Sequence, residues 1–326
     1  MNDSKNLLCG LPLPFLHSGN NSHSEIIEQT VALLPLIVWA TFRFSFRVPL
    51  LCLISVGFSF FLDFLTRIFI RKILKNDICT FDLYPIFIGI CIVCMLPANV
   101  SVPAVLLFDL VAVAVLRLFG QAVSPIAAAY TVMLALTANF SAGYLFSNGE
   151  RNVSTLDILM KGELPDFPAS DIFLGRCDGM IGEISVILIL VCGIYLTLRG
   201  HISWEIPIAA IVSSFVIALE FAPDNVEYYQ FAISQTLSGG AFFGSVFIAA
   251  PNRFIPTSTY GRMIYGLLIG AGTMFLRLYA HIDGIYPSIA FFSLFIPLID
   301  RFTVQSPFGG YTNHGKSKTV SEKNSG

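Results

Sequence analysis

The sequence predicts an all-α protein that crosses a lipid bilayer about ten times, arranged as two halves of five helices. Three observations carry this expectation. Apolar runs of spanning length recur along most of the chain, as in Val48–Phe61, Val102–Leu118, Ile184–Leu198 and Met263–Leu278. Charge is scarce: Asp, Glu, Lys and Arg make up 12% of the 326 residues, where a soluble chain carries roughly 25%. The mean hydropathy is +0.74. A spanning helix needs about 20 mostly apolar residues. Lipid offers no partner to an open backbone N–H or C=O, so such runs must be helical.

In chain order, helices are expected over residues 26–43, 47–70, 83–97, 101–119, 125–146, 181–198, 204–221, 231–250, 262–280 and 285–300. Turn chemistry separates them at Leu96-Pro97-Ala98-Asn99, Ser124-Pro125, Ala222-Pro223-Asp224-Asn225 and Ala250-Pro251-Asn252. The longest polar insertion, 147–180, divides the chain. The expected organisation is a segment 1–25, a first half 26–146, the loop 147–180, a second half 181–300 and a tail 301–326. Two halves with an odd number of spans face opposite ways, as inverted repeats do in transporters. With both ends in the cytoplasm, the 19 Lys and Arg split thirteen inside to six outside, in keeping with the positive-inside rule. That choice puts the acidic 147–180 loop outside. The first 24 residues lack the basic start and apolar core of a signal peptide.

A formal net charge of −2 and the lack of a long basic stretch exclude nucleic acid as a partner. The bilayer is the expected partner. Cys91 and Cys94 form a C-x-x-C inside an apolar run. A metal or iron–sulfur centre needs more thiolates nearby, so they read as small apolar helix residues.

Function must then lie in the few polar residues of the spans. Asp63 stands four residues before Arg67, the spacing of a helical ion pair. Asp109 sits near the middle of the fourth helix; a carboxylate there marks an ion path or a buried hydrogen bond. Glu183 is expected in the first turn of the sixth helix, where the helix dipole favours an acid. Glu220 and Asp300 fall at helix ends and are expected in solvent. Gly240 with Gly244, and Gly266 with Gly270, each place two glycines on one helical face. They suit close helix packing or close approach to a flat cofactor.

A series of short motifs resembles the RnfD family, the membrane component of the Rnf ion-translocating electron-transport complexes, and more distantly its NqrB counterpart in the sodium-pumping NADH:quinone oxidoreductase. The motifs are Pro14-Phe15-Leu16-His17-Ser18-Gly19, Phe173-Leu174-Gly175-Arg176, Gly179-Met180-Ile181-Gly182-Glu183-Ile184-Ser185 and Ile202-Ser203-Trp204-Glu205-Ile206-Pro207. They continue with Leu237-Ser238-Gly239-Gly240 before Gly244, Gly261-Arg262-Met263-Ile264-Tyr265-Gly266, and Pro297-Leu298-Ile299-Asp300-Arg301-Phe302-Thr303 before Pro307-Phe308-Gly309. Seven motifs in order, from about residue 12 to 310, carry the resemblance.

The resemblance implies a membrane component carrying flavin mononucleotide (FMN), joined by a phosphoester to a Thr in the outward loop after the fifth helix. It implies a complex in a bacterial inner membrane that couples ferredoxin–NAD⁺ chemistry to Na⁺ or H⁺ export. Its partners would be the other Rnf-type subunits, including iron–sulfur and NADH-binding ones, and a flavin transferase. Thr155 matches the attachment position, with Ser154 as a substitute. Arg176, Gly182 and Glu183 would lie by the cofactor, and Asp109 on an ion path. Here the peptide before Thr155 reads Gly149-Glu150-Arg151-Asn152-Val153-Ser154, without the family's upstream Asp and its Gly-Ala pair. An ordinary helix N-cap at Ser154 or Thr155 fits the same residues. Two rivals remain open: a flavin or small-solute transporter, and a flavin-free structural subunit.

Overall fold

The computed structural model describes residues 22–74, 83–120, 123–139, 155–165, 168–176, 179–223 and 226–303. Pro14–Gly19, Ser154 and the tail from 304 lie outside them. Among the described residues there are helices and no strand; the one extended pairing is an isolated bridge between Ile202 and Pro251.

The first half contains α1 (Ser22–Arg43), α2 (Arg47–Leu74), α3 (Tyr84–Cys94), α4 (Val102–Phe119) and α5 (Pro125–Asn139). The loop contributes two short helices, α6 (Thr155–Met160) and α7 (Ala169–Leu174). The second half contains α8 (Val186–Leu198), α9 (Glu205–Glu220), α10 (Tyr228–Leu237), α11 (Ala241–Phe243) running into a π-helix over Gly244–Ala249, α12 (Thr259–Ala280), α13 (Ile285–Ser293) and α14 (Ile296–Thr303). Local chemistry sets several starts. Pro85, Pro103 and Pro125 open α3, α4 and α5, where a missing N–H costs nothing. Ser258 caps α12, its Oγ accepting from the Gly261 N–H at 2.9 Å.

All ten expected segments are helical over part of their length, but they are not ten uninterrupted spans. Among the described residues, four helices are long and apolar enough to cross a membrane, over 23–43, 47–69, 102–119 and 259–280. Two bent pairs pass the same test jointly: α10 with the segment 241–249, bent by 56°, and α13 with α14, bent by 60°. The expected eighth and tenth helices are thus each broken. The sixth starts at Val186, five residues later than expected.

The same order of neighbours recurs in both halves. α2 packs on α3 and α4, and α4 on α5; α9 packs on α10 and α12, and α12 on α13. The halves meet where α1 packs on α8 and α5 on α13. Leu33, Leu51, Ile88, Phe243, Tyr265 and Tyr286 are fully enclosed in the core. Cys52, Cys91, Cys94 and Cys192 are buried and free, as apolar packing requires. The outer surface carries Phe42, Phe46, Leu53, Leu118 and Leu198, each at least 75% exposed. A soluble monomer rarely tolerates apolar patches on this scale; a lipid-facing belt does.

Ion pairs close the helix ends. Asp63 takes Arg67 at 2.6 Å, as its spacing predicts, and also Arg117 from α4. Arg199 pairs with Glu28, which His201 also approaches at 2.9 Å. Donating hydrogen bonds to that carboxylate holds the Arg199 guanidinium above the usual arginine range.

Candidate functional site

The site is built on the break between α10 and α11. Leu237 ends α10, Gly239 turns with φ +67°, and Gly240 begins the next half-helix. Only glycine reaches that backbone region without strain, and only glycine fits here. A Cβ at Gly239 would lie 2.7 Å from Arg277 Nη2 and 2.8 Å from Leu156 Cδ2. A Cβ at Gly240 would lie 2.5 Å from the Tyr286 hydroxyl and 2.6 Å from Glu183 Oε1.

A broken helix exposes carbonyls at one end and N–H groups at the other. A buried ion pair answers both. Arg277, 1% exposed, donates from Nη1 to the Gln235 carbonyl at 2.6 Å and from Nη2 to the Ser238 carbonyl at 3.2 Å. The same guanidinium reaches Asp283 Oδ1 at 2.9 Å. Asp283 Oδ2 accepts the Gly240 N–H at 3.0 Å. The cation therefore sits on the C-terminal end of α10 and the anion on the N-terminal side of α11, each matched to the local dipole.

The loop helix α6 docks on this junction. Gln235 Nε2 donates to the Leu159 carbonyl at 3.1 Å. His281 Nδ1 lies 3.1 Å from the Met160 carbonyl. His281 holds φ +51°, the one left-handed non-glycine among the described residues, a conformation that needs support from its surroundings.

Thr155 is the first residue of α6 and is 7% exposed. α6 is pressed onto the second half, with Leu156 against Gly239. Glu183 differs from expectation. It lies two residues before Ser185, the residue that precedes α8, and so is not in a first helical turn. The reason is backbone pairing with α3: the Ile181 N–H donates to the Leu96 carbonyl at 3.1 Å and the Gly182 N–H to the Cys94 carbonyl at 2.7 Å. The chain is spent on closing the end of α3 before α8 can start. Gly182 is required there, since a Cβ would stand 2.6 Å from Cys94 Cβ. Glu183 is instead buried, accepting a hydrogen bond from Tyr286. The Tyr286 ring packs at a tilt against Tyr130 of α5, centroids 4.6 Å apart, tying the site to the first half.

Glu183 thus lies against Gly240, and Leu156, next to Thr155, lies against Gly239, while Gly182 packs on Cys94 and Phe243. Arg176 does not join them: it is exposed, 3.5 Å from Asp171, and its carbonyl accepts from Arg43 at 3.2 Å. Asp109 belongs to a separate cluster between α2, α3 and α4, where it accepts from Ser55 at 2.8 Å. Asp300 is half-buried and accepts from the Thr257 N–H at 2.9 Å, whereas Glu220 is exposed as expected. Arg277, Asp283, Gln235, His281 and Tyr286 were not singled out from the sequence. A cation inside the long apolar run of α12 was the available signal.

For FMN, the residues present fit in two respects. Thr155 supplies the hydroxyl that a phosphoester needs. Gln235 Oε1, beside α6, is buried without a hydrogen-bond partner among the described residues, an acceptor suited to an imide N–H. A cavity of about 260 Å³ opens elsewhere, lined by Glu25, Tyr84, Phe87, Phe247, Arg253 and Phe254. Neither Thr155 nor the glycine break takes part in it.

Interrupted apolar helices, buried charge at their ends and a lipid-facing exterior define a polytopic all-α membrane protein. The chain belongs to the NQR2, RnfD, RnfE family, whose model matches residues 12–309. It is 28% identical over 311 residues to the D subunit of the Na(+)-translocating ferredoxin:NAD(+) oxidoreductase complex of Acetobacterium woodii, covering 91% of this chain and 93% of the relative. It is 33% identical over 138 residues to the D subunit of the proton-translocating ferredoxin:NAD(+) oxidoreductase complex of Clostridium ljungdahlii, covering 42% of each chain. It is 29% identical over 153 residues to the B subunit of the Na(+)-translocating NADH-quinone reductase of Chlamydia abortus, covering 43% of this chain and 30% of the relative.

Proposed function

We propose that the chain is a membrane electron-transfer subunit of an Rnf-type complex that couples ferredoxin:NAD⁺ chemistry to Na⁺ or H⁺ translocation, and that it carries FMN on Thr155. The family match over residues 12–309 carries this reading. The placement of Thr155 on α6, held against the glycine break, supports it. When bound, the flavin supplies the redox chemistry. The chain's own part is positional. Gln235 and His281 hold the end of α6, and the Arg277–Asp283 pair fixes the break on which α6 rests. Attachment requires α6 to lift, exposing the Thr155 hydroxyl to a transferase. In this reading both termini face the cytoplasm of a bacterium, the two halves run in inverse orientation, and α6 lies on the outer side with other Rnf-type subunits around it.

The test is chemical. The chain, coexpressed with its flavin transferase, is expected to fluoresce as a denatured gel band and to gain the mass of one esterified FMN. Thr155→Ala should lose both signals. A wild-type chain without an adduct, together with unchanged activity of a complex bearing Thr155→Ala, would overturn the anchor. That result would favour a flavin-free structural role, a reading supported by the 7% exposure of Thr155 and the altered peptide before it.

A further inference from the structure

The crossing of α2, α3 and α4 contains a carboxylate that electron transfer does not use. Asp109 lies near the middle of α4 and is fully enclosed. Ser55 Oγ stands 2.8 Å from Asp109 Oδ1 and 2.9 Å from the Gly89 carbonyl oxygen. A hydroxyl has one proton, so it serves only one of these acceptors at a time. Ser59, one helical turn from Ser55 on α2, is buried and close enough to act on the same carboxylate electrostatically. Ser59 Oγ and Asp109 Oδ2 are both enclosed without a hydrogen-bond partner among the described residues. No basic side chain among those residues pairs with Asp109; the other acid of this bundle, Asp63, takes both Arg67 and Arg117.

Oxygens from three helices therefore converge with fewer protons than acceptors, in a medium without water to make up the difference. Unpaired buried oxygens are costly there. A proton on Oδ1 can be donated to Ser55 Oγ, freeing the Ser55 proton for the Gly89 carbonyl, but it leaves Oδ2 and Ser59 Oγ unanswered. A small hard cation takes carboxylate, hydroxyl and carbonyl oxygens together and cancels the one negative charge. Membrane transporters hold Na⁺ near the midplane, with backbone carbonyls among its ligands.

We infer that Asp109, Ser55, Ser59 and the Gly89 carbonyl form a binding site for one dehydrated Na⁺. This rests on reading the chain as part of an ion-translocating complex, for which the site is a station within the membrane. The site needs no flavin, so it is testable apart from the redox chemistry.

The full chain in detergent is titrated with NaCl against choline chloride at constant ionic strength, following thermal unfolding and ²²Na⁺ retention. A saturable rise in midpoint with Na⁺ and not choline is expected, with matching retention. Asp109→Asn should abolish both. Ser59→Ala, which leaves charge unchanged and keeps the test open if the first variant fails to fold, should weaken binding by about tenfold, the loss of one good ligand. Glu220→Gln, at an exposed helix end, should behave as wild type. No Na⁺-specific effect, or one that survives Asp109→Asn and Ser59→Ala, overturns the site. A response to pH alone, removed by Asp109→Asn, overturns it in favour of a proton. Na⁺ binding by a chain that never acquires flavin would sink the electron-transfer reading and leave the site standing. Flavinylation without Na⁺ binding would do the reverse.

Discussion

Two helix crossings occupy corresponding places in the two halves, and they are closed in opposite ways. Where α9 meets α12, glycines remove the side chains. Gly266 abuts the Ile206 carbonyl and Ala209, and Gly270 abuts Ser213 and the Ala210 carbonyl. Ser213 and Ser214 both donate to that carbonyl, at 3.1 and 2.8 Å. Where α2 meets α4, the space holds Asp109, Ser55 and Ser59, and two of their oxygens go unanswered. The first crossing is a packing surface. The second holds polar groups at a cost that packing does not explain. The lesson is that burial alone does not mark function within a membrane; a polar group left unmatched where glycine was an available solution does.

The breaks contrast similarly. The end of α3 is closed by backbone N–H groups of Ile181 and Gly182, and the break after α10 by the Arg277–Asp283 pair. Substitutions can sharpen both contrasts. Gly270→Leu should have the largest effect: it drives a side chain into the backbone of α9 and is expected to prevent recovery of monodisperse protein on size exclusion. Arg277→Met should cost about 3–5 kcal/mol, since Asp283 and two carbonyls lose a buried cation. Thermal unfolding reads this, and adding Asp283→Asn should restore part of the loss. If Arg277→Met alone is as stable as wild type, the break does not depend on charge. Glu183→Gln keeps an acceptor for the Tyr286 hydroxyl and should cost about 1 kcal/mol or less in the same assay. Gly57→Ala, on α2 where a Cβ meets nothing within 4 Å, should be neutral or stabilising by about 0.5–1 kcal/mol. That is the counterpart to Gly270, with the same residue type in a helix but an open neighbourhood.

Most helices could be read from the sequence because apolar run length and proline turns are local signals. The Asp63–Arg67 pair and the packing role of Gly266 and Gly270 were legible for the same reason. The break at Gly239–Gly240 was not, because apolar residues continue on both sides and a run-length reading joins them. Gly239-Gly240 carried the signal, yet Gly240 was paired with Gly244 as one packing face. Glu183 was misplaced because the pairing that delays α8 comes from Cys94 and Leu96, more than 80 residues earlier. Ser185, just ahead of an unbroken apolar run, was the better helix start. The partnership of Arg277 with Gln235, Ser238 and Asp283 depends on a fold in which helices far apart in sequence meet, and no local pattern encodes it.

The enclosure of Cys52, Cys91, Cys94 and Cys192 has a practical consequence. Those four thiols are shielded from aqueous maleimides, and the sequence holds three more, Cys9, Cys79 and Cys177, outside the described residues. The first two fall in segments assigned to one compartment and the third to the other. A membrane-impermeant reagent applied to intact cells, then to opened ones, can therefore give the address of each segment without a single engineered residue.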